Sequence, residues 1–274
     1  MLRGFYTATN GMMAQQRRQE VLSNNMTNAQ TPGYKQDQTP LRAFPELLIQ
    51  RMENRDIPNS QGTTVPSMTE IGAINTGVYV HETIPDFIQG SLRETGVSTD
   101  MALVQGETPD EEGSIFFTVQ NGEGDVRYTR NGNFTVDGEG NLTTNNGYYV
   151  LDDTGNTINT DNLAFTVTPE GMVQLDGEEV PLGISYSANS NDLVKNGQDL
   201  FELAEDGAAL ADARGVAGLQ FNIQQNHLEN ANVDEAQTMT DMMQAYRSFE
   251  ANQKVVQQYD RSLDKAVNEI ARLG

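Results

Sequence analysis

The sequence predicts an α+β fold: a central all-β domain, antiparallel and either a sandwich or an irregular barrel, flanked by long N- and C-terminal helices that pair as a coiled coil. Three observations carry this. Apolar residues recur at helical spacing along the C-terminal segment, helix formers fill the first 28 positions up to a proline stop, and Asn-Gly and Asp-Gly pairs punctuate short apolar runs between. The chain divides accordingly into an N-terminal helix (1–30), an extended connector (31–76), a β domain (77–221) and a C-terminal helix (222–274).

The first helix spans Met1–Asn28, with Leu2, Phe5, Met12, Met13, Leu22 and Met26 near one side. Pro32 stops it, because proline disfavours helical geometry in the residue before it and has no N–H to donate. Thr31-Pro32-Gly33-Tyr34 suits a type II turn, with Pro second and Gly third. In the connector, Leu41–Met52 reads as a short helix, and Asn54–Ala73 is rich in Pro, Gly, Ser and Thr.

Within the β domain the apolar runs are Ile115–Val119, Val126–Thr129, Phe134–Val136 and Tyr148–Leu151. Their bounds include Asn121-Gly122, Asn131-Gly132, Asp137-Gly138, Asn146-Gly147 and Asp176-Gly177, residue pairs that tolerate positive φ and so mark hairpins. On this reading Tyr128–Phe134 is a hairpin.

The C-terminal helix runs Asp234–Leu273, with Asn232 as its cap and Glu235 completing a box-like arrangement. Alternate steps of three and four from Met239 reach Met242, Tyr246, Phe249, Gln253, Val256, Asp260, Leu263, Val267 and Ile270, all apolar but Gln253 and Asp260. That is the spacing of a coiled-coil seam. At about 1.5 Å per residue this helix measures roughly 60 Å against roughly 40 Å for the first. Part of its stripe, about Val256–Ile270, therefore lacks a partner within the chain, and burial in a neighbouring subunit is the natural remedy.

Composition narrows the function. Seventeen Lys and Arg face 39 Asp and Glu, a net charge of −22 that repels nucleic acid and anionic membranes. Absent cysteine excludes disulfides and thiolate chemistry. No apolar run reaches the roughly 18–20 residues that span a membrane, and the N-terminus lacks a cleavable signal-peptide pattern. The two histidines, His81 and His227, sit in unrelated contexts, and neither a nucleophile elbow nor a phosphate-cradling loop occurs. Asp137–Asn141 and Asp152–Asn156 suggest calcium, but the first, with oxygen donors at alternate positions, lacks the glycine at the sixth place and a correctly spaced Glu, and turn chemistry explains both. No enzyme activity, cofactor, metal or small-molecule substrate is expected.

Two motifs at opposite ends are specific. Leu22-Ser23-Asn24-Asn25-Met26-Thr27-Asn28-Ala29-Gln30-Thr31-Pro32-Gly33-Tyr34-Lys35 resembles the N-terminal signature of flagellar rod and hook proteins. Leu228-Glu229-Asn230-Ala231-Asn232-Val233-Asp234, followed by Met239 and Met242-Met243, resembles that family's C-terminal signature, as does Tyr246-Arg247-Ser248-Phe249-Glu250-Ala251-Asn252-Gln253-Lys254-Val255. Phe87–Gly96 and Tyr128-Thr129-Arg130-Asn131-Gly132-Asn133-Phe134 resemble its β domain, with one departure: the acidic stretch Glu107–Gly113 precedes the Phe116-Phe117 strand and lengthens a surface loop.

The resemblance implies a structural subunit of the flagellar rod or proximal hook, most like the family's distal rod members. It would lie outside the cytoplasmic membrane, exported unfolded without a cleaved signal peptide and polymerised helically through its terminal helices. Its partners would be copies of itself, other axial proteins and the export apparatus. The residues implied in subunit contact are Leu22, Asn24, Asn25, Asn28, Thr31, Pro32, Gly33, Tyr34, Met239, Met242, Tyr246, Phe249, Val256, Leu263, Val267 and Ile270. Alternative readings are an export-associated cap or chaperone-like binding protein, and an acidic cell-surface β adhesin.

Overall fold

The computed structural model describes residues 2–56, 64–161, 164–175, 178–197, 199–203 and 209–271, with side chains placed for most of them. Helix α1 spans Leu2–Thr27 and helix α2 spans Glu235–Ala271; between them the secondary structure is mostly β. The chain divides into two compact units, one of Met1–Ser23, Thr39–Thr83 and Met239–Gly274, the other of Asn24–Gln38 and Ile84–Thr238.

The first unit holds most of both helices. They run antiparallel, with Gly4 opposite Tyr259 and Gly11 opposite Asn252; a Cβ on Gly4 would overlap the Tyr259 ring. The covered line on α2 holds Ala245, Asn252, Val256, Tyr259, Leu263 and Ala266, at least half-buried. It shares every second position with the stripe counted in the sequence and takes the preceding residue at the others. Met242, Phe249, Val256 and Leu263 stay half-buried, but Met239, Tyr246, Gln253, Asp260 and Val267 are exposed. Gly4 leaves room for the Tyr259 ring and Gly11 for Asn252, so the face that carries these two is the covered one and Tyr246 and Val267 turn outward.

Leu41–Met52 forms no helix. Leu41–Ala43 pairs with Val78–Val80, and Leu47–Asp56 pairs with Thr64–Ile74 as a long antiparallel hairpin. The register shifts between Ile49 and Gln50, opposite Gly72. Leu47, Leu48, Met52, Met68 and Ile71 on it are exposed. Thr76 closes the loop beyond by accepting hydrogen bonds from Thr7 Oγ1 and Asn10 Nδ2 at 3.2 and 3.4 Å.

The second unit is built on an open nine-stranded antiparallel sheet among the described residues. Its central strand, Ser114–Gln120, pairs with Val126–Thr129 on one edge and with Tyr149–Val150 and Ile184–Ser187 on the other. Both faces of that strand are covered. Ile115, Phe117 and Val119 enter one apolar cluster with Met101, Phe134, Leu142 and Ile223, while Phe116 enters another with Tyr128, Leu193 and Phe201. Alternation of the pleat explains the split, and burial on both faces explains why the run is continuously apolar.

Turn signals succeed unevenly. Asn121-Gly122, Asp137-Gly138 and Asn146-Gly147 do link antiparallel neighbours. Asp176-Gly177 lies outside the described residues. Tyr128–Phe134 is not a hairpin: Val126–Thr129 pairs with Ser114–Gln120 and Leu200–Leu203, whereas Phe134–Val136 pairs with Leu142–Thr144. Asn131-Gly132 is a crossing between strands, with the Gly132 carbonyl accepting from Met101 N.

The acidic loop docks on its own unit, with Tyr186 Oη donating to Asp110 Oδ2 and Asn191 Nδ2 to Glu112 Oε2. Asp137 and Asp152 turn their Oδ1 atoms to amides of their own loops, Glu139 and Asn141 in one, Thr154 and Asn156 in the other. These bonds hold both carboxyls below their ordinary range, although burial works against the shift at Asp152.

Candidate functional site, a buried charge junction

The second unit gathers three sequence motifs at one point. After Thr27 the chain leaves α1: Asn28 Nδ2 donates to Asn24 O and Oδ1, and Tyr34 N closes the turn on Thr31 O with Gly33 at φ +70°. Asn25 then fastens the returning segment. Its Nδ2 donates to Asp37 O at 2.8 Å, and its Oδ1 accepts from Asp37 N and Tyr34 Oη, both at 3.0 Å. Lys195 Nζ sits 3.8 Å from the centre of the Tyr34 ring and 3.0 Å from Asp37 Oδ2.

The turn delivers Lys35 to Glu229 and Arg130, each side chain about 1% exposed. Lys35 Nζ donates to Glu229 Oε1 at 2.7 Å and to Ile88 O at 2.8 Å. Gly90 N donates to the same oxygen at 2.9 Å. Arg130 Nε donates to Glu229 Oε2 at 3.1 Å and its Nη1 to Ile115 O at 2.8 Å, while its Nη2 is buried without a partner among the described residues. The Glu229 carbonyl accepts from Gly33 N, so backbone and side chain of one residue hold both sides of the turn.

One carboxylate thus serves two buried cations. Burial alone would raise the Glu229 pKa, but Arg130 and Lys35 hold it below the ordinary range. Burial, reinforced by Arg130, pushes Lys35 down to about 8 against the attraction of Glu229. Burial and the neighbouring Asp37 raise the Tyr34 hydroxyl. Losing one partner of such a group costs about 3–5 kcal/mol, because it strands a buried charge. The arrangement has no substrate-facing nucleophile; it fastens chain segments.

Of the residues implied in subunit contact, Asn25, Asn28, Gly33 and Tyr34 are buried and belong to this junction. Asn24 is exposed but lends its carbonyl and Oδ1; Thr31 and Pro32 are half-buried in the turn, and Leu22 is buried in α1. On α2, Met239, Tyr246 and Val267 face solvent in the free chain; the Ile270 side chain lies outside the described residues. Sequence reasoning did not single out Lys35, Arg130 or Glu229. Each nonetheless lies inside one of the quoted motifs.

Asn232 was expected to cap α2, and it does not. Its Oδ1 accepts from Gln36 N at 2.7 Å and its Nδ2 donates to the carbonyls of Asp86 and Ile88. Asp234 takes the cap, accepting from Gln237 N at 3.0 Å.

Comparison with known proteins matches the same segments. Residues 5–35 fit the family described as flagella basal body rod protein, residues 112–175 the flagellar hook protein FlgE/F/G D1 domain, and residues 224–269 the flagellar basal body rod FlgEFG protein C-terminal region. The flagellar hook-basal body complex protein FlhO of Bacillus subtilis is 43% identical, the match covering 100% of both chains. The flagellar basal-body rod protein FlgG of Borreliella burgdorferi is 31% identical over 98% of each chain, and FlgG of Bacillus subtilis 30% identical over 98% of this chain and 99% of its own.

Proposed function

We propose an assembly role for this chain on the ground that it belongs to the family of flagellar basal-body rod and hook proteins. It is a structural component of the rod or hook–basal body, not an enzyme. Among the described residues no helix is long and apolar enough to cross a membrane. The finer reading is a subunit of the distal rod or hook junction, exported without a cleaved signal peptide, that polymerises helically with copies of itself and other axial proteins. Segments 1–30 and 222–274 supply the assembly core, with α1 and α2 paired as an antiparallel coiled coil.

The observation that carries it is the outward apolar line on α2. Tyr246 is 54% and Val267 66% exposed, with Met239 and Met243 beside Tyr246, and Tyr6 and Met13 exposed on α1. Leaving each such side chain in water forgoes about 1.5–3 kcal/mol, which a neighbouring copy recovers. A contact between different faces of identical chains that does not close generates an open filament. Gly4, in the first turn of α1, lies opposite Tyr259, so the stretch of α2 from Arg261 onward has little of α1 left to pair with and is the first meeting place for another copy.

The test is Tyr246→Asp with Val267→Asp in cells whose only copy carries both. The purified variant keeps the wild-type circular dichroism but does not cosediment with basal bodies, and the cells are non-motile. Wild-type incorporation overturns the reading.

A further inference from the structure

The net charge of the chain falls entirely on one of its two units. The unit of Asn24–Gln38 and Ile84–Thr238 holds 28 Asp and Glu against 6 Lys and Arg, a balance of −22; the unit holding most of the two helices has 11 of each and is neutral. Little of the cationic charge on the acidic unit is free. Lys35 and Arg130 are buried on Glu229, Lys195 pairs with Asp37, Arg127 with Glu202 and Arg214 with Asp212; only Arg93 has no ion pair among the described residues. Many of the carboxylates, Glu107, Glu111, Glu123, Glu139, Asp153 and Glu170 among them, are exposed and in no ion pair among the described residues.

We infer that association of copies of this chain is opposed by its acidic units and takes up cations, so that salt governs assembly. The inference rests on the self-association proposed above. The neutral unit carries the exposed apolar lines of α1 and α2, so contact between copies there meets no net repulsion. Each contacting unit is tethered to an acidic one of about 15 Å radius of gyration, so joined copies crowd these together. Like-charged surfaces at that range repel across a screening length of about 30 Å in 0.01 M salt but about 3 Å at 1 M. The second copy is thus admitted by the neutral unit and metered by the acidic one.

The experiment measures the critical concentration for assembly of the full chain by sedimentation as NaCl rises from about 20 mM to about 500 mM, where screening collapses. Wild type is expected to assemble at about a tenfold lower concentration at the high end. Salt also strengthens apolar contacts, so a variant isolates the charge effect: E107Q, E111Q, E123Q, E139Q, D153N and E170Q together. It assembles more readily than wild type at low salt and with a flatter salt response. A wild-type critical concentration that is constant or rises with salt overturns the inference, as does a variant whose salt response equals that of wild type. If neither protein assembles at any salt, the self-association reading falls, and this inference with it.

Discussion

Lys35 Nζ lies 2.7 Å from Glu229 Oε1 although 194 positions separate the two residues, and Arg130 reaches the other oxygen of the same carboxylate. The contact joins the turn after α1, the strand before α2 and the centre of the β sheet. Folding of this unit therefore requires segments from both ends of the chain. A truncation meant to remove only the helical part must spare Asn24–Gln38 and the residues up to Thr238.

Replacing Glu229 by Gln keeps the shape and removes the charge. Lys35 and Arg130 are then buried side by side without a counterion, and the second unit loses about 3–5 kcal/mol. Because the chain has two units, a single unfolding midpoint is a poor readout. Amide exchange in Ser114–Gln120, buried on both faces, reports this unit directly and should accelerate by more than a hundredfold. Unchanged protection there would show that the junction adds nothing to stability.

The same cluster sets a pH dependence. Lys35 has its pKa lowered from 10.5 to about 8, so between those values the unfolded chain binds the proton and the folded chain does not. Stability of the second unit therefore rises from about pH 8 toward 10.5. Above pH 10 Tyr34, whose pKa is raised, works in the opposite direction. Glu229, depressed from 4.5, contributes stability above that value and loses it as pH falls through its folded pKa. Urea titrations across pH 7–10 on wild type and Lys35→Met check the alkaline limb: the rise should be smaller in the second, where only Lys195, its pKa also lowered by burial, still contributes.

Gly33 combines positive φ with contact against the Arg130–Asn131 peptide, where an added Cβ would overlap backbone atoms of both residues. Gly147 has φ +83° but open space around it. Gly147→Ala therefore costs only left-handed strain, about 1–2 kcal/mol. Gly33→Ala adds displacement of the turn that carries Lys35, and should destabilise by clearly more. Equal effects on amide exchange in Ser114–Gln120 would remove the close approach as the reason for glycine at 33.

The two helices and the β character of the middle are legible in the sequence because they arise from local signals: helical spacing, the stop at Pro32 and turn-forming dipeptides. What escaped was decided by distant partners. Asn131-Gly132 has hairpin chemistry, but Gly132 is committed to Met101, so the strands on either side part. Leu47-Leu48-Ile49 resembles the start of a short helix, and only pairing with the strand ending at Ile74 makes it extended. On α2 half of the counted stripe, Met242, Phe249, Val256 and Leu263, is covered, while Tyr246 and Val267 are not, since the glycines of α1 face Asn252 and Tyr259 instead. The junction itself was hidden because Lys35, Arg130 and Glu229 gain meaning only together.

Asn232 and Asp234 lie two residues apart and have different jobs, which substitution separates. Asp234→Ala removes the side-chain acceptor for Gln237 N and a negative charge at the positive end of α2. The cost is about 0.5–2 kcal/mol, confined to the first turn. Exchange should accelerate at Glu235–Thr238 and stay unchanged in Ser114–Gln120. Asn232→Ala instead leaves Gln36 N and the carbonyls of Asp86 and Ile88 without this partner, beside the buried charges. The Ile88 carbonyl keeps Lys35, but Gln36 N and the Asp86 carbonyl, both part-buried, lose a partner at up to about 1–3 kcal/mol each, so the effect should appear in Ser114–Gln120 as well. If Asn232→Ala frays only the start of α2, Asn232 is the cap after all and the assignment of Asp234 is wrong.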